Sequence, residues 1–109
     1  MDKRKKHGKI CEELGVIYSA KNADYGDSFG ETFEKLGIIS AVTRIADKTN
    51  RLQTLAMQAA KVEDEKIEDT LMDLANYAIM TLIELDGHES KSEQLEFDVF
   101  TTNSAGDKE

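Results

Sequence analysis

The 109-residue chain has no proline and no tryptophan, a single cysteine, and aromatic side chains at only 6% of its positions. Without proline, no position imposes a break on a helix. The lone Cys11 cannot close an intramolecular disulfide, so nothing points to a secreted, disulfide-stapled scaffold. No apolar run reaches the roughly 18 residues of a membrane helix, and no signal peptide opens the chain. The sequence holds no P-loop, no CxxC pair and no GxSxG turn, which removes the commonest local signatures of phosphate cradles, redox pairs and serine hydrolases. The expectation is one cytoplasmic domain that does not enter a membrane.

What is present favours helix. Charged residues make up 33% of the chain, and Lys, Glu, Leu and Ala are frequent. The net charge of −8 is uneven, because residues 86–109 hold 7 acidic and 2 basic side chains. The opposite end is basic, with Lys3, Arg4, Lys5, Lys6 and Lys9. No aromatic residues interleave with those lysines, so a solvated first helical turn is expected rather than a nucleic-acid surface.

Hydrophobic spacing divides the chain into three main helices. In the first, Ile10, Leu14, Ile17 and Tyr18 recur at helical spacing, and the helix is expected to end at Lys21-Asn22. Residues 21–30, KNADYGDSFG, crowd Asn, Asp, Gly and Ser into an expected loop. Ser28 and Glu31 have the spacing of a capping box for the second helix, about 29–60, with Gly37 as a break or bend. Its apolar stripe is Ile38, Val42, Ile45, Leu52, Ala56 and Ala59, and Arg44, Asp47, Lys48 and Arg51 form a separate polar stripe. Residues 61–66 are expected to be a charged connection or helix start. The third helix, about 65–86, is expected to stop at Gly87. The domain is therefore residues 1–87. Residues 88–109 form a flexible acidic tail with a short apolar docking segment at Leu95, Phe97, Val99 and Phe100.

The third helix is the most informative segment. LMDLANYAIMTLI (71–83) is apolar nearly all round, so burial on most sides is expected. Asp69, Asp73 and Asn76 share one face among these neighbours. An unpaired buried carboxylate costs several kcal/mol, so the two acids should face cations, either a metal or Arg44, Lys48 and Arg51. In one reading these groups are salt bridges that set helix register. In the other they line a pocket, with forked arginine and compact lysine donors suited to phosphate. Asp69 and Asp73, one turn apart, are the candidate ligands for a hard cation such as magnesium. Lys21, Asn22, Asp24, Tyr25 and Ser28 of the loop would close over the ligand, with Tyr25 stacking on a base. Asn76 and Tyr77 would read sugar or base. His7 and His88 lack partners at metal spacing, and Cys11 has no nearby base and is expected in the core. A three-helix monomer cannot cover the third helix, so a homo-oligomer is expected.

KNADYGDSF (21–29), RIADKTNR (44–51) and DTLMDLANY (69–77), in that order, resemble the phage and bacterial family called nucleotide modification associated domain 1. The resemblance covers roughly residues 10–85 and implies action on nucleotides. More distantly, the third helix is similar to the all-α nucleoside triphosphate pyrophosphatases of the MazG and dimeric dUTPase kind. Those hold magnesium with ExxE and ExxD pairs and work as oligomers. Asp73 matches the final Asp of the second pair, with Tyr77 downstream, but Thr70 stands where that pair begins with Glu. Arg44 and Asp47 stand where the first pair has two acids. The seam has gained cations and lost carboxylates, which fits direct phosphate binding better than hydrolysis. The leading expectation is a phage-type protein that holds nucleotide phosphates on the Arg/Lys/Asp seam. The competitors are a magnesium-dependent pyrophosphohydrolase or nucleotide-modifying enzyme, a sponge for a host nucleotide immune signal, and a non-catalytic structural or interaction protein.

Overall fold

The computed structural model describes residues 2–58 and 67–92, with side chains placed as far as Gly87. The chain is all-α. Among the described residues it forms four helices and no strand: α1 (Lys3–Tyr25), α2 (Ser28–Leu36), α3 (Ile38–Met57) and α4 (Ile67–Ser92). The connection at 61–66, Ala59 and the Leu95–Phe100 segment lie outside the described residues.

Helix ends follow local chemistry, though not always where composition places them. Asp2 caps α1, its Oδ1 accepting from the amides of Arg4 at 3.0 Å and Lys5 at 3.4 Å. α1 does not end at Lys21-Asn22. It continues through Asn22 and Asp24 to Tyr25, and Gly26 stops it with φ 70°. Asn and Asp are tolerated within a helix when exposed, and only Gly26 supplies the left-handed backbone that ends one. The expected ten-residue loop thus shrinks to Gly26 and Asp27. Asp27, not Ser28, caps α2, accepting at 3.1 Å from the Gly30 amide.

The expected long second helix is two helices. Gly37, at φ 76° and ψ −163°, ends α2 and starts α3. Its amide donates to the Phe33 carbonyl at 2.7 Å, and its carbonyl accepts from the Ser40 amide and hydroxyl. Gly87 does not stop the last helix, which continues to Ser92. A glycine inside a helix costs about 1 kcal/mol and does not by itself break it.

α3 packs most extensively on α4, with α2 folded against both and α1 laid across α4. Phe29, Phe33 and Ala41 form the buried cluster, with Tyr77 and Met80 packed against it. Each phenylalanine contributes about 1.5–3 kcal/mol by burial. Leu14 and Leu55 are the other buried apolar residues among those described. The core stripe of α3 is rotated from the expected one. Ala41 and Leu55 are buried and Ile45 and Leu52 half-buried, whereas Ile38, Val42 and Ala56 are exposed.

Within this chain α4 is not buried on most sides. Thr70, Asn76 and Thr81 face inward, while Leu71, Ile79, Leu82, Ile83 and Leu85 are exposed. Thr81 meets its burial cost by donating to the Tyr77 carbonyl at 2.7 Å. Cys11 is also exposed rather than in the core, with its Sγ 3.8 Å from Nδ1 of His7 one turn earlier.

Candidate functional site

Two helical stripes face each other across a cleft. On α1, Tyr18, Lys21, Asn22 and Tyr25 stand at i, i+3, i+4 and i+7. On α4, Asp73, Asn76, Tyr77 and Met80 repeat the same spacing. Arg44 of α3 and the Gly26–Phe29 corner complete the wall. The cleft measures about 360 Å³, within the range of small-molecule sites.

Asp73 is the electrostatic centre. Its Oδ1 lies 3.1 Å from Lys21 Nζ and its Oδ2 3.3 Å from Lys48 Nζ. The expectation that this acid faces cations is met, but one of the two comes from α1 rather than α3. The Asp73 and Lys48 side chains are 27% and 22% exposed, whereas Lys21 is 59% exposed. Lys21 is therefore the partner with more freedom to turn to a ligand.

Arg44 takes a different partner. Its guanidinium carbon sits 5.8 Å from the centroid of the Phe29 ring, a cation–π distance. Phe29 also stacks on Tyr77, with centroids 5.9 Å apart and planes 19° from parallel. The rings of Phe29 and Tyr77 thus link the buried cluster to the cleft wall.

Asn76 is buried, and its Nδ2 donates to the Leu14 carbonyl at 3.1 Å. That donor joins α1 to α4. Asp27 has one oxygen on the Gly30 amide, so the positive end of α2 already carries a carboxylate.

Of the residues singled out in the sequence, Lys21, Asn22, Tyr25, Ser28, Arg44, Asp73, Asn76 and Tyr77 come together in the cleft. Lys48 joins them through Asp73. Asp24, Asp47, Arg51 and Asp69 are exposed and do not line it. Asp24 falls outside because the segment is helical: a residue one step before Tyr25 turns about 100° away from the stripe. Asp69 lies one turn from Asp73, beyond the cleft. Among the described residues, no three His, Cys, Asp or Glu side chains gather as a metal site.

Tyr18, Asp27, Phe29 and Met80 line the cleft without having been singled out as ligand-binding residues. For Tyr18 the signal was present, since extending the helix through residue 25 puts it on the stripe with Lys21 and Tyr25. Met80 follows in the same way from Asp73 and Tyr77.

The family model for nucleotide modification associated domain 1 matches residues 21–85. The chain belongs to this family. The matched segment contains both α2 and α3 and every cleft residue except Tyr18. No curated protein and no solved structure matches the chain. Among the described residues, no helix is long and apolar enough to cross a membrane.

Proposed function

We propose that this member of the nucleotide modification associated domain 1 family binds a nucleotide in the cleft between α1 and α4. One observation carries the reading: a single cleft is lined by four aromatic rings (Tyr18, Tyr25, Phe29 and Tyr77) together with Lys21 and Arg44. The exposed Tyr25 ring offers a stacking surface to a base, and the two cations offer charge-assisted donors to phosphate. Ser28 and Asn22 add neutral polar groups for sugar or base edges. A nucleotide ligand implies a cytoplasmic place of work.

Binding without turnover is the form of this reading that the carboxylates favour. Among the described residues, the acids lining the cleft are Asp27 and Asp73. Asp27 is engaged with the α2 amide and Asp73 with two lysines. With both of these carboxylates engaged, the reading takes phosphate contact through Lys21 and Arg44. Such a protein acts by sequestering its ligand.

The reading extends to a second copy of the chain. Ile39 and Val42 on α3 and Leu71 and Leu82 on α4 are exposed, and they lie roughly 140–180° around their helices from Arg44 and Asp73. Ala46, Ala75 and Ala78 lie between them, and the exposed Glu68 and Asp86 of α4 border this face. These exposed apolar side chains suit contact with a second copy of the chain.

The test is to incubate the protein with a panel of nucleotides, with and without magnesium, and then to denature it and analyse what is released. Intact nucleotide, with affinity lost in an Arg44→Ala variant, supports binding. Product formation establishes an enzyme instead. No binding to any nucleotide, and no thermal shift, overturns the proposal.

A further inference from the structure

The charge of the site limits how many phosphates its ligand carries. Asp73 sits between two ammonium groups, 3.1 Å from Lys21 and 3.3 Å from Lys48. One carboxylate neutralises one of them. With Arg44 on the Phe29 ring, the group formed by Lys21, Lys48, Arg44 and Asp73 holds three cations and one anion, a surplus of two positive charges. A phosphate monoester carries about −1.5 to −2 at pH 7, which matches that surplus.

The geometry lets the surplus be used. Lys21 is the more exposed lysine, so it can leave Asp73 for a phosphate while the less exposed Lys48 keeps the carboxylate paired. Releasing both lysines would leave Asp73, only 27% exposed, without a cation.

Around this group the field turns negative. Asp27 lines the cleft and holds the positive end of α2, a position that would otherwise suit a phosphate. Glu84 lies beside it, on the small pocket that shares Tyr18, Asp27 and Phe29 with the cleft. The whole chain carries −8. Each further phosphoryl group adds negative charge that, among the described residues, no additional cation of the cleft lining meets.

We infer that the cleft prefers a nucleoside monophosphate to the corresponding di- or triphosphate. The inference rests on the nucleotide-binding reading and adds the charge class of the ligand.

The experiment is calorimetric titration of the full chain, without added metal, against the nucleoside, monophosphate, diphosphate and triphosphate of each common base. For whichever base binds, the monophosphate should bind about tenfold more tightly than both the nucleoside and the triphosphate. In a Lys21→Ala variant that keeps its helical circular dichroism, the ratio between monophosphate and nucleoside affinity should fall to within about twofold. Affinity that rises with each added phosphate overturns the inference while leaving nucleotide binding intact. So does a Lys21→Ala variant that keeps the full ratio. If no nucleoside or nucleotide binds, the nucleotide reading itself fails, and the inference with it.

Discussion

Asn76 on α4 donates through its side-chain amide to the main-chain carbonyl of Leu14 on α1, 3.1 Å away and 62 residues distant in sequence. The carbonyl has two lone pairs, so it accepts this bond beside its own helical one. Asn76 is also buried, at 8% exposure. The bond therefore sets how α1 lies on α4, and with it the width of the cleft.

Replacing that donor with an acceptor tests the joint. Asn76→Asp puts a carboxylate oxygen against the Leu14 carbonyl and is expected to cost about 2–3 kcal/mol. Urea denaturation followed by circular dichroism measures it. A loss below about 0.5 kcal/mol would show that the joint does not hold α1.

The Asp73 cluster predicts an order among three variants. Asp73→Ala leaves Lys21 and Lys48 drawn to a site with no anion, and is expected to destabilise by about 1–2 kcal/mol. Lys48→Ala should cost more than Lys21→Ala, because Lys48 is 22% exposed and Lys21 59%. Raising the salt concentration should shrink the Lys21 effect first. Chemical denaturation of the three variants at low and high salt reads this order.

Two glycines should respond to alanine with opposite signs. Gly37 has φ 76° and ψ −163°, a conformation that alanine rarely adopts. Nothing lies within 4 Å of an added Cβ there, so the cost is backbone strain alone, about 1–3 kcal/mol. Gly15 lies inside α1 with equally open space, and Gly15→Ala should stabilise by up to about 1 kcal/mol. Thermal melts of the two variants check the contrast.

The exposed apolar residues of α3 and α4 predict self-association. The wild-type chain should elute as an oligomer in size-exclusion chromatography with light scattering. Val42→Glu and Leu82→Glu should shift it towards monomer while the helical spectrum is kept. Both residues are exposed in the single chain, so the charges do not enter its core. A wild-type chain that runs as a clean monomer would remove the second copy from the proposal.

The helical class, the end of α2 near Gly37 and the partnership of Asp73 with lysine were all legible in the sequence. Period, glycine position and the cost of an unpaired carboxylate are local properties, and local chemistry decides them. The reach of α1 through Tyr25 was not legible, because Asn, Asp and Gly in a row suit a loop and an exposed helical turn alike. Which face of α3 enters the core was not legible either. Its apolar residues cover more than half the helix, so periodicity leaves the facing direction open. Packing decided it: Phe29, Phe33 and Tyr77 sit against Ala41, the smallest side chain of that stripe, and this turns Arg44 to the cleft, Lys48 to Asp73 and Val42 away from both. The identity of the charged residues was set by the sequence, and their division into those lining the cleft and those outside it was set by how four helices share one small core.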